Sequence, residues 1–118
     1  MKFIDRIKSG EILIIDGAMG SLLFQRIPEY TGCFELLNIE QPNIIKEIHQ
    51  LYIESGANII ETNTFGGNLC KLEEYKLTER CFEINKAAAA IAKEAAGGKG
   101  FVAGSIGPTG LLIEPIGK

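Results

Sequence analysis

Ile12, Leu13, Ile14 and Ile15 form a short unbroken apolar run, largely β-branched, entered after Gly10 and closed by Asp16 and Gly17. A run of that length without polar alternation predicts a strand covered on both faces. A second run over residues 58–62 follows Gly56 and Ala57, and a third over residues 100–105 follows Gly97 and Gly98. Between the first two, Ile44, Ile45, Ile48, Leu51 and Tyr52 recur at helical spacing behind Pro42, which suits a first helical turn. This predicts a helix over residues 42–55. Between the second and third, Cys81, Ile84, Ala88, Ile91 and Ala95 lie three or four residues apart, with Thr78 placed as an N-cap and Gly97 as the stop. This predicts a helix over residues 78–96. Shorter helical turns are expected near residues 2–8, 18–25 and 69–75.

The order strand, helix, strand, helix, strand, with crossovers far too long for hairpins, predicts a parallel α/β sheet. A doubly wound sheet and an incomplete eight-stranded barrel share this local pattern, and periodicity does not separate them.

Composition narrows the class of function. With 118 residues, 46% hydrophobic and 23% charged, the chain suits one globular domain. No apolar run approaches the roughly 18 residues that span a bilayer, and the start lacks the apolar stretch of a secretory signal. A cytoplasmic location is expected. Cys33, Cys70 and Cys81 are odd in number and irregular in spacing, which argues against a disulfide framework and against a metal-ligand pair. A net charge of -3 without a basic block gives no electrostatic reason to expect nucleic acid or an anionic membrane as partner. A small molecule is the expected partner.

In either architecture ligands bind beyond the carboxyl ends of the strands. Those exits read DGAMGS from Asp16, TNTFGGN from Thr62 and GSIGPTG from Gly104, all small, polar and glycine-rich. Asp16 is placed to accept hydrogen bonds from a substrate ammonium group or, equally, to cap the following turn. Thr62, Asn63 and Thr64 offer neutral donors and acceptors, although such residues also satisfy local backbone groups. Glu61 is a second potential ammonium partner, which strand alternation would turn towards the helices if Thr62 faces inward. The glycine spacings match neither the dinucleotide nor the P-loop fingerprint. His49, beside the apolar stripe and remote from the exits, reads as a packed or surface residue and not as a base.

Taken together, the segments IIDGAMGSLL from Ile14, CFELLNIEQP from Cys33, ESGANIIETNTFGGN from Glu54 and VAGSIGPTG from Val102 resemble the homocysteine S-methyltransferase family, including the homocysteine-binding module of cobalamin-dependent methionine synthase. The resemblance implies a TIM (β/α)8 barrel in which zinc binds the thiol of homocysteine, the thiolate takes a methyl group, and methionine forms. It implies that Asp16 and Thr62 contact the amino-acid portion of homocysteine, with the backbone of Gly17 beside it. Asn63, Thr64, Gly66, Ser105 and Gly107 are carried as residues lining the same site.

The family's zinc ligands, a cysteine after a later strand and a pair in a Gly-Gly-Cys-Cys-Gly stretch, are absent here, and none of the cysteines takes their place. A whole barrel needs roughly 250 residues. Residues 1–118 are therefore expected to be the N-terminal part of such a barrel, about three strands, holding the amino-acid-orienting half and inactive alone. Methylcobalamin, S-methylmethionine and folate-linked compounds all stay open as methyl donor. A competing expectation is a non-catalytic α/β binding or assembly module that self-associates through open strand edges. A nucleotide-binding α/β domain comes last, for want of a phosphate fingerprint.

Overall fold

The computed structural model describes residues 2–114, 116 and 117. The elements in chain order are α1 (Phe3–Lys8), α2 (Gly20–Arg26), a 3-10 turn (Phe34–Leu36), α3 (Leu37–Glu40), α4 (Pro42–Glu54), β1 (Ile59–Glu61), α5 (Leu69–Glu73), a second 3-10 turn (Thr78–Arg80), α6 (Cys81–Ala96) and β2 (Phe101–Ala103). The two long helices and three shorter ones fall where periodicity predicts them. Thr78 differs in role: it opens a 3-10 turn and its side chain makes no capping hydrogen bond, so α6 is entered from that turn. Gly97 ends α6 in the left-handed region, at φ 53°, as a C-terminal glycine does.

β1 and β2 pair in parallel, with Ile59 opposite Phe101, Ile60 opposite Val102 and Glu61 opposite Ala103. On the other side of β1, Ile15 forms a parallel bridge with Ile59. The first apolar run therefore lies where a third parallel strand belongs. Only a bridge forms because Asn58 intrudes on the ladder: its Oδ1 accepts the Ile14 N–H at 2.8 Å, while the Ile14 carbonyl accepts from Asn58 and Ile59 together.

Expected to be covered on both faces, this run is instead open. Ile12 is 87% exposed and Ile15 51%, because among the described residues the run has one strand neighbour and its inner face carries no cover. Ile60, at the centre of β1, is fully buried against Ala92, Ala95 and Ala96 of α6. Alanine at those positions lets the helix sit close to the sheet, so one strand side chain fills the gap.

A second cluster joins Leu23 of α2, Leu37 of α3, Ile45 and Ile48 of α4 and Ile91 of α6. Tyr52 packs against both clusters and so ties α4 to the sheet. At the opposite end of the strands, α1 covers Phe101: Phe3 meets its ring edge-on at 5.3 Å, and Arg6 lies over it while pairing with Glu11. Both α4 and α6 pack against Ile60 on one face of the sheet, and the parallel pairing sends the strand exits to a common end.

Candidate functional site

The exits of β1 and of the first apolar run, with Ser105 beyond β2, converge on one cleft of about 310 Å³. Asp16, Gly17, Thr62, Asn63 and Thr64, the residues singled out from the sequence, all line it. Ser105 lines it too, whereas Gly66 and Gly107 lie outside the lining. Glu61 faces the cleft as well. Because Ile60 points to the helices, alternation turns Glu61 to the other face, and Thr62, one residue beyond β1, lines the cleft beside it.

Asp16 is fixed by its neighbour strand β1 through two hydrogen bonds. Its N–H donates to the Ile59 carbonyl at 2.9 Å, and its Oδ2 accepts the Glu61 N–H at 3.0 Å. Oδ1 is buried and has no partner. Burial pushes the carboxyl up to about 6, with the Glu61 charge adding to the rise and the Glu61 N–H opposing it. The loop that follows is held from α4, where the Tyr52 hydroxyl donates to the Ala18 carbonyl at 2.6 Å.

The threonines form a connected set. The Thr64 hydroxyl donates to the Ser105 carbonyl at 2.7 Å, the Ser105 N–H donates to Thr62 Oγ1 at 3.1 Å, and the two hydroxyls are 2.7 Å apart. Asn63 is tied into the wall: its amide donates to the Phe34 carbonyl and to Asn38 Oδ1, each at 3.0 Å, while the Asn38 amide donates to the Asn63 carbonyl at 2.9 Å. Both amide hydrogens of Asn63 are thereby spent inside the protein.

Sequence reasoning missed the roof of the cleft. Phe34 and Glu35, in the 3-10 turn, with Met19, Gly20 and Phe65 supply its remaining wall. Glu35 Oε1 accepts the Gly66 N–H at 2.7 Å, and a Cβ at position 66 would lie 2.9 Å from that oxygen, so glycine allows the loops to close together. The only advance signal was the placement of both residues in segments that resemble one family.

No lysine, arginine or histidine lines the cleft. The lining carboxylates Asp16, Glu35 and Glu61 and the Thr62 oxygen make the cleft rich in acceptors, with both Glu35 oxygens already accepting from Gly66 and Cys33. Such a cleft suits a ligand that brings hydrogen-bond donors and positive charge.

A model of the family described as homocysteine S-methyltransferase matches residues 13–117. The chain belongs to that family. Over 121 aligned residues it is 35% identical to the methionine synthase of Mycobacterium tuberculosis (strain ATCC 25618 / H37Rv), with 92% of the chain and 10% of that protein covered. The methionine synthase of Mycobacterium leprae (strain TN) is 34% identical over 118 residues, 90% of the chain and 10% of that protein. The chain thus spans about a tenth of the length of these curated relatives.

Its fold matches the homocysteine methyltransferase MmuM from Escherichia coli. The oxidized form superposes with a TM-score of 0.70 at 26% identity, covering 84% of this chain and 38% of that one. For the metallated form the TM-score is 0.73 at 22% identity, covering 89% and 41%.

The described residues do not fit a metal. They contain no group of three histidine, cysteine or acidic side chains placed to hold one. Cys33 is buried, donates to Glu35 Oε2 at 3.2 Å and has its thiol pushed up to about 11, chiefly by burial, so it is held protonated. Cys81 donates instead to the Gly67 carbonyl. No described helix is long and apolar enough to cross a membrane.

Proposed function

We propose that the cleft holds the amino-acid end of homocysteine and that the protein carrying it transfers a methyl group to the homocysteine thiol, giving methionine. One observation carries the reading: Asp16 Oδ1 is a buried acceptor without a partner, set in a wall that has acceptors and no cationic side chain. A substrate ammonium would supply the missing donor and the opposite charge together. In this proposal Asp16 and Thr62 receive the ammonium and the backbone at Gly17 lies alongside. Asn63 and Thr64 complete the wall.

The fold supports placing these residues in the opening three strands of a TIM (β/α)8 barrel. The free edges of the first run and of β2 would there pair with further β/α units, and the exposed Ile12, Ile14 and Val102 would be covered. Homocysteine-binding proteins of this family imply zinc, and with no fitting ligands among the described residues we assign it to other residues of the whole protein. The methyl donor, whether methylcobalamin or another compound, would likewise meet other parts. This chain's share is to bind and orient the amino acid, and alone it would not catalyse methyl transfer.

The test is homocysteine binding to the whole protein, measured by calorimetry alongside its zinc content. Asp16→Asn should weaken homocysteine binding at least about tenfold, the loss of one charge-assisted hydrogen bond, and leave zinc content unchanged. Equal loss of both would make Asp16 a structural residue and end the proposal.

A further inference from the structure

The hydroxyl network at the cleft contains a direction that distances alone do not state. The Ser105 carbonyl can only accept, so Thr64, 2.7 Å from it, commits its one hydroxyl hydrogen there. Of the two hydroxyls 2.7 Å apart, Thr62 must then be the donor and Thr64 the acceptor. Thr62 also accepts the Ser105 N–H at 3.1 Å. Its hydrogen and one lone pair are spent, and one lone pair is left at a residue that lines the cleft.

We infer that Thr64 is a positioning residue, which takes up the Thr62 hydroxyl hydrogen and so presents Thr62 to the cleft as an acceptor alone. This rests on the reading of the cleft as an ammonium site. An ordinary threonine hydroxyl rotates to suit its partner and serves a donor or an acceptor. Here rotation would break the bond to Thr64, which is itself anchored on Ser105 beyond β2. The wall next to Asp16 thus has a fixed polarity before any ligand arrives, and a group without N–H or O–H finds no donor at Thr62. Thr64 contributes selectivity for an amine without touching it.

Two ligands separate this from a structural role: homocysteine and 4-mercaptobutanoate, which lacks the amine. In the whole protein, Thr64→Ala should lower the preference for homocysteine by about threefold to tenfold, in the range of one hydrogen bond. Thr64→Ser, which returns only the hydroxyl, should restore it. If Thr64→Ala weakens both ligands by the same factor, or Thr64→Ser fails to recover the preference, the inference is overturned.

Equal binding of both ligands by the unsubstituted protein would remove the ammonium reading and this inference with it. A retained preference in Thr64→Ala would remove the inference alone. One measurement needs no variant to fold: by NMR of the unsubstituted protein, the Thr62 hydroxyl proton should exchange slowly and lie close to Thr64. Rapid exchange would overturn the proposed direction.

Discussion

Asp16 Oδ2 accepts the backbone N–H of Glu61 at 3.0 Å, while Oδ1 of the same carboxylate is buried with no partner. One half of the group is thus satisfied by the neighbouring strand and the other is left for something else. A half-satisfied buried carboxylate is costly to the free protein, which is what a preorganised binding group looks like. Asp16→Asn should therefore raise the stability of the ligand-free protein at neutral pH, because its neutral amide oxygen still accepts the Glu61 N–H. Urea unfolding midpoints would check this, and a lower midpoint for the variant would contradict it.

The pH dependence of binding follows from the same group. Burial raises the Asp16 carboxyl to about 6 in the free protein, so it is ionised above that value and protonated below it. In the proposed site a substrate ammonium would pair with the ionised form and draw it back down. Homocysteine affinity should hold steady above pH 6 and fall by up to about tenfold per pH unit below it. For stability the sign is opposite to that of a salt-bridged carboxylate. The folded state binds the proton more tightly than the unfolded one, so this group's contribution becomes less favourable as pH rises from about 4 to 6. Titration calorimetry between pH 5 and 8 would show the affinity change, and Asp16→Asn should abolish it.

Thr62→Val should act in the same direction as Asp16→Asn on binding but more weakly. It removes a neutral acceptor, worth about threefold to tenfold, where Asp16 provides a charged one. It also leaves the Ser105 N–H without its partner, so some loss of stability accompanies it. Unchanged homocysteine affinity in a folded Thr62→Val protein would exclude the proposed contact.

His49 on α4 is fully buried, and neither ring nitrogen has a hydrogen-bond partner. Burial alone lowers its pKa to about 4. The unfolded chain therefore binds a proton near 6.5 that the folded chain refuses until about 4. Stability due to this residue is intact above pH 6.5, declines as pH falls and is lost by about pH 4, amounting to some 3 kcal/mol in all. His49→Leu should flatten the stability profile across that window and raise stability at neutral pH. Denaturant unfolding at pH 7 and pH 5 measures both effects.

Asn38 and Asn63 form a buried pair that holds the roof of the cleft to its wall. Asn38→Leu would strand one hydrogen of the Asn63 amide and the Asn63 carbonyl, both of which Asn38 now serves. A loss on the order of 3 kcal/mol is expected. Differential scanning calorimetry would register it, and a shift of less than about a degree would show that the pair is dispensable.

Much of the frame is legible in the sequence. Apolar positions at helical spacing marked α4 and α6, and the long crossovers between apolar runs marked parallel pairing. Parallel order sends every strand exit to one end, which is why Asp16, Thr62 and Ser105 could be read as neighbours. Other features have no local periodicity to announce them. Glu35 meets the cleft only because the turn Phe34–Leu36 folds over Gly66, a contact 31 residues apart in sequence. Asn38 reads as an ordinary polar residue until it is found buried against Asn63. The exposure of Ile12 and Ile15 was equally hidden, since a run of β-branched residues reports its preference for cover and not whether cover is at hand.

That uncovered sheet has a practical side. Two paired strands and one bridged ribbon, with one finished face and, among the described residues, two open margins, behave like a jigsaw piece, which parallel ribbons would abut in the proposed barrel. Protein engineers could splice these residues onto the later units of related enzymes, because the acceptor-lined cleft is held within the piece while its margins leave the choice of neighbour open.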